Sequence, residues 1–112
     1  MTNCSVDNAD LFEAPEQQLA HEKMLAVQAK ALSHPARIRI LRILSDLERA
    51  GGCLNSDLVS QLGLAQSTVS EHLRILKVAG FISAEAMPPK VCYRIQREAI
   101  SEFSALTQSI FD

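Results

Sequence analysis

Cys4, Cys53 and Cys92 are the side chains of this 112-residue sequence suited to soft-ion or redox chemistry. Three converging thiolates would make a trigonal site for arsenite or another soft metal or metalloid. Two thiols within bridging distance would make a redox pair. The bland alternative is that each cysteine is a small buried hydrophobe. An odd number of widely spaced cysteines is not a disulfide framework, and it fits a reducing cytoplasm. His21, His34 and His72 are scattered, and the positions three and four after His72 are Ile75 and Leu76, which cannot ligate. There is no Gly-rich phosphate loop, no nucleophile elbow and no paired His and acid spacing, which argues against an enzyme.

A second constellation lies between Gln66 and Ala79. At about 100° per residue with Val69 at zero, Leu73 falls near 40° and Leu76 near −20°, a core stripe. Gln66, Lys77, Ser70, Arg74, Ser67 and Glu71 fall between roughly 60° and 200° on the same wheel. Gln and Arg can read base edges bidentately, Ser and Thr bond phosphates or bases, and Lys77 and Arg74 add charge for the backbone. A solvated surface face would read similarly on its own. Val78, near 180°, interrupts the polar face, so its N-terminal half is the reading part. His72, near −60°, sits at the core edge, a boundary residue or phosphate contact rather than a metal ligand.

The elements that must position this helix follow from periodicity and punctuation. Residues 1–15 are polar, acidic and ended by Pro15, and are expected to form a flexible arm. A helix from Glu16 carries Leu19, Met24, Leu25, Val27 and Leu32 and ends at Ser33-His34-Pro35. The next, about Pro35 to Arg49, groups Ile38, Leu41, Leu44 and Leu47 on one face, with Ile40 and Ile43 flanking. Gly51-Gly52 breaks it. Asn55 or Ser56 opens a short helix to Leu62, with Asp57 suiting its dipole and Gly63 its stop. A turn over 63–65 then leads into the helix from Gln66, a helix-turn-helix signature. Phe81 to Met87 and Val91 to Ile95 read as a hairpin tipped by Pro88-Pro89-Lys90. A last helix from about Arg97 bears Ile100, Phe103, Leu106 or Thr107, and Ile110. The fold class is therefore mainly α with a small β-hairpin: a winged helix-turn-helix of about five helices plus a two-stranded wing, spanning 16–112.

The net charge of −2 hides its distribution. Met1 to Glu22 carries −5, Lys23 to Arg97 carries +6, and Glu98 to Asp112 carries −3. A basic middle between acidic ends supplies the local field nucleic-acid binding needs. No signal-peptide pattern or membrane-length apolar run is visible, which excludes a membrane partner. A core built from Leu, Ile, Val and Ala, with no Trp, leaves short helices in need of partners, so a dimer is expected.

The blocks AKALSHPARIRILRIL (29–44), STVSEHLRILKVAGFI (67–82) and VCYRI (91–95) resemble the ArsR/SmtB family of bacterial winged-helix repressors. The resemblance covers about residues 25 to 97. It implies a homodimer joined through the first and last helices, repression by binding double-stranded operator DNA, and release by an effector. A two-fold dimer would present two reading helices about one DNA turn apart. Carried over by position, Gln66, Ser67, Thr68, Ser70 and His72 contact the operator, joined by Arg74 and Lys77. Lys90 and Arg94 approach the adjacent minor groove or phosphates, although Arg94 also fits an ordinary surface strand position.

Ala65 replaces the Ser often found before this helix in the family and cannot cap with its side chain, a loss of about 1 kcal/mol. Thr68 to Glu71 offers a local capping-box pattern in its place. Many family members bind soft ions with a Cys-x-Cys; here the stretch is Cys53-Leu54-Asn55, and a neutral Asn is a poor soft-ion ligand. A His and carboxylate site on the last helix has no counterpart, since Glu98 and Glu102 stand without a His. No cofactor is certain; a soft metal or metalloid at Cys4, Cys53 and Cys92 and a thiol oxidant are the effector candidates, alongside purely structural thiols. The leading reading is a cytoplasmic, homodimeric DNA-binding regulator. The alternative is a winged-helix module that binds protein, with little DNA affinity.

Overall fold

The computed structural model describes residues 9–55 and 59–112. Cys4, Ser56 and Asp57 lie outside the described residues. Among the described residues, a 3-10 turn at Ala9–Phe12 leads into four α-helices and a hairpin: α1 Glu16–Ala31, α2 Pro35–Arg49, α3 Gln66–Val78, β1 Ile82–Met87, β2 Lys90–Ile95 and α4 Arg97–Phe111. Before α3 the described residues include a 3-10 turn at Ser60–Leu62; the first part of the short helix expected from Asn55 or Ser56 lies outside them. The Val59 amide donates to the Asn55 carbonyl at 3.2 Å.

Helix boundaries follow local chemistry. Pro35 occupies the first position of α2, where its missing N–H costs nothing, and His34 Nδ1 accepts from the Ala36 amide at 3.0 Å as N-cap. Gly51 and Gly80 take φ of +81° and +86°, the left-handed backbone that closes α2 and α3. Gly52 N–H then donates to Leu47 at 2.8 Å and Phe81 N–H to Leu76 at 3.0 Å, the six-to-one bond of a Schellman stop.

The core lies where α2, α3 and the base of the hairpin meet. Ile40, Leu44, Leu54, Val69, Leu76 and Phe81 are fully buried, each contributing about 1.5–3 kcal/mol. Phe81 packs edge-on against Phe103 of α4, ring centres 6.2 Å apart. Arg97 at the start of α4 pairs with Glu48 and donates to Ser45 Oγ at 2.8 Å, tying α4 to the end of α2. On α2 the buried residues are Ile40, Leu41 and Leu44, while Ile38 is exposed. The core stripe is thus rotated relative to the one expected, on a helix that packs against both α3 and β2.

Strands β1 and β2 pair antiparallel, with Ile82 opposite Ile95, Ala84 opposite Tyr93 and Ala86 opposite Val91. Lys90 belongs to β2, so the tip is Pro88-Pro89 alone, joined by a cis peptide bond. Burial fades along this face from Ile82 and Ile95 to Ala86 and Val91, so the outer half of the hairpin projects as a wing. The other edge of β2 is not free. Leu54 bridges Tyr93, each amide donating to the other's carbonyl at 3.0 and 2.8 Å.

Leu19, Met24 and Val27 of α1 are exposed, as are Leu11, Phe12 and Phe111. The radius of gyration is 18.4 Å, against about 13 Å for a compact chain of this length. Principal extents of 62 × 24 × 23 Å describe a rod. Helices α1 and α4 pack on one another and leave apolar surface uncovered.

Candidate nucleic-acid interface

Helix α3 buries Val69, His72, Leu73 and Leu76 and turns Gln66, Ser67, Thr68, Ser70, Glu71, Arg74 and Lys77 to solvent. The core stripe read from the sequence is thereby recovered, with His72 added to it. Its N-cap, Ala65, makes no side-chain bond. The expected Thr68–Glu71 capping box does not form, because Thr68 already lies inside the helix and Glu71 faces Arg74. Arg74 donates to the Glu71 carboxylate at 2.6 and 3.0 Å in a bidentate pair. The Arg74 guanidinium holds the Glu71 carboxyl below the usual carboxylate range, and Glu71 in turn raises Arg74. A negative charge therefore neutralises the guanidinium in the middle of the outward face.

His72 points inward, which sets it apart from the other outward positions. It is 6% exposed, and its Nδ1 lies 3.1 Å from Arg37 Nη1. Arg37 also donates through Nε to the Ala31 carbonyl at 2.7 Å, at the end of α1. The His34 ring meets His72 at a tilt of 53°, centres 4.5 Å apart. Arg37 thus joins α1, α2 and α3, and its charge cannot leave. Burial is the largest cause that lowers the pKa of His72, followed by His34 and Arg37; Glu71 opposes them. Sequence periodicity placed His72 at the core edge; the Arg37 partner, 35 residues away, had no local signal.

The wing stands beside the first half of α3. A cleft of about 180 Å³ separates Gln66 and Ser70 from Pro89, Val91 and Tyr93. Lys90 and Arg94 are exposed on β2, and Arg94 donates to Glu85 at 3.3 Å across the strand pair. Val78, exposed at the far end of α3, borders an apolar groove with Val27 of α1. The polar surface is therefore concentrated in the N-terminal half of α3 and the wing.

Behind the wing, Cys53 and Cys92 are joined as a disulfide, Cα atoms 5.7 Å apart. The cysteine count gave no framework, yet this pair forms. The Leu54–Tyr93 bridge brings together two segments 39 residues apart in sequence. Among the described residues, no group of three or more His, Cys, Asp or Glu side chains could hold a metal ion. Cys4, the third member of the trigonal set, lies outside them.

A short turn between helical segments, an exposed polar helix and a projecting two-stranded wing together define a winged helix-turn-helix. Residues 34–84 match the family described as bacterial regulatory protein, arsR family. The chain is 36% identical over 88 residues to the uncharacterized HTH-type transcriptional regulator Rv0081 of Mycobacterium tuberculosis, spanning 79% of this chain and 75% of that protein. It is 30% identical over 95 residues to the HTH-type transcriptional regulator YgaV of Escherichia coli, spanning 85% and 93%. The crystal structure of Rv0081 superposes with a TM-score of 0.56 at 32% identity, over 80% of this chain and 86% of that one. The homodimeric winged helix-turn-helix DNA-binding domain of Mb0332 from Mycobacterium bovis superposes with a TM-score of 0.65 at 23% identity, over 87% of each chain. The chain belongs to the arsR family of bacterial regulatory proteins: it is a transcriptional regulator and not an enzyme.

Proposed function

We propose that this chain is a homodimeric repressor that binds double-stranded operator DNA in the cytoplasm and is released by an effector. The observation that carries the reading is the exposed set Gln66, Ser67, Thr68 and Ser70 on α3, with Lys90 and Arg94 on the wing beside it. Gln66 and the serines suit base edges and phosphates in a major groove, and the wing cations suit the flanking backbone. Arg74 and Lys77 add phosphate contacts once Arg74 exchanges Glu71 for DNA. His72 serves indirectly, by holding α3 against Arg37.

The dimer is proposed through α1 and α4 of a domain spanning 16–112, with residues 1–15 as an acidic arm. The exposed Leu19, Met24, Val27 and Phe111 support it, since a second copy would cover them. No helix among the described residues is long and apolar enough to cross a membrane.

The test is titration of the purified chain onto DNA from upstream of its own gene at several salt concentrations. Operator binding that weakens steeply with salt supports the reading. Weak, salt-insensitive binding would favour the protein-binding alternative.

A further inference from the structure

The Cys53–Cys92 pair sits where it can control the wing. Leu54 and Tyr93 pair antiparallel, so Cys53 and Cys92 flank that bridge on the same face of the strands. Cys92 is 3% exposed although its register partner on β1, Glu85, is exposed. The segment carrying Cys53 covers it. Cys53 itself is half-buried and opens onto a cleft of about 350 Å³ walled by Met87, Pro88, Lys90 and Arg94. Of the two sulfurs, Cys53 is therefore the more open to small solutes. The ring closed by the bond contains the turn, all of α3, β1 and the wing tip. The proposed reading head, Arg94 apart, thus lies inside the tether.

We propose that Cys53 and Cys92 form a reversible dithiol–disulfide site, oxidised by peroxides, that ties the wing to the segment entering the helix-turn-helix and so weakens operator binding. This rests on the DNA-binding function proposed above. In the oxidation, the Cys53 thiolate attacks one oxygen of hydrogen peroxide. The O–O bond breaks, leaving a sulfenic acid and, after protonation of the leaving hydroxide, water. The Cys92 thiolate then attacks the Cys53 sulfur and displaces hydroxide, which takes up the proton Cys92 gave up and leaves as a second water. Two thiols and one peroxide thus give one disulfide and two waters, a two-electron oxidation of the protein. A dithiol reductant returns two electrons and two protons by exchange. In a reducing cytoplasm such a bond is transient, as a sensor requires.

The direction follows from what holds the wing in each state. Reduced, the wing is joined to the connector by the two hydrogen bonds between Leu54 and Tyr93 and can hinge about them. In a two-fold dimer both wings must reach their grooves together, and a hinged wing can adjust to the duplex. Oxidised, the wing is welded to the connector in the geometry of the free chain.

The experiment compares the full-length chain reduced with dithiothreitol and oxidised with hydrogen peroxide, each titrated onto upstream DNA at one salt concentration. Peptide mapping establishes which cysteines are joined. The expected result is a Cys53–Cys92 disulfide and an operator affinity roughly tenfold or more weaker, restored by dithiothreitol. Cys53→Ser, or Cys92→Ala if the first does not fold, keeps the reduced affinity under both treatments. Equal affinity in the two states, tighter binding when oxidised, or oxidation that leaves Cys53 and Cys92 unjoined overturns the proposal. Binding by neither state overturns the DNA-binding reading itself, a different failure from equal binding by both.

Discussion

Arg37 Nη1 stands 3.1 Å from His72 Nδ1, and a guanidinium only donates. His72 must therefore be the acceptor there, neutral, with its proton on the buried Nε2, which has no partner among the described residues. Protonation at Nδ1 would set two cations against each other at the junction of α1, α2 and α3. Helix α3 is held against α2 by an uncharged histidine.

Stability follows with a definite sign. The pKa of His72 is lowered in the folded chain by burial first, then by His34 and Arg37. The unfolded chain then binds more protons, so this contribution is present above the ordinary imidazole value of about 6.5 and is lost as pH falls through the folded value. Urea midpoints of the wild type should drop between pH 8 and pH 5. In His72→Gln, which can still accept from Arg37, the drop should be smaller. An unchanged pH dependence would count against this role.

Glu71 restrains Arg74 on the outward face. Glu71→Gln removes the negative charge and frees the guanidinium for phosphate. DNA binding should tighten, and the slope of log affinity against log salt should steepen by about one unit. A slope identical to wild type would place Arg74 away from the duplex.

Ser67 and Ser70 are exposed on the proposed reading surface. Ser67→Glu or Ser70→Glu should cost about 2 kcal/mol or more, roughly thirtyfold, in operator affinity. The proposed dimer should persist in sedimentation. Wild-type affinity would discard this face of α3.

Phe81 is fully buried and meets Phe103 edge-on. Phe81→Ala should destabilise the chain by about 3–5 kcal/mol in denaturant titration. A loss below about 1 kcal/mol would mean that the site collapses without a cavity.

Leu19 and Phe111 lie exposed on the rod formed by α1 and α4. Leu19→Asp combined with Phe111→Asp should yield a monomer by light scattering, with little change in far-UV circular dichroism. A double variant that stays dimeric would move the interface elsewhere.

The parts of the fold legible in the sequence are those decided within a few residues. Pro35 opens α2, Gly51 and Gly80 stop α2 and α3, and the spacing of Val69, Leu73 and Leu76 sets the buried side of α3. The hairpin was legible from alternation on either side of a proline tip, but its register was not: Lys90 pairs with Met87, which sets Ala84 opposite Tyr93. Long-range contacts were not legible. Whether Ile38 or Ile40 faces inward depends on which elements press on α2. Arg37 reaches His72 across 35 positions, and Cys53 reaches Cys92 across 39. The capping box failed for a local reason: Glu71 has a stronger partner one turn on, in Arg74. Exposed Leu19, Met24 and Val27 carry the apolar pattern of a core helix, and sequence alone does not say whether the same chain or a second copy covers it.

The most direct test of the central claim is the salt dependence of binding to upstream DNA, measured for the wild type and for Ser67→Glu. The account predicts affinity that falls steeply with salt, as several phosphate contacts require, and that Ser67→Glu removes. Binding that is weak, indifferent to salt and unchanged by Ser67→Glu would contradict it.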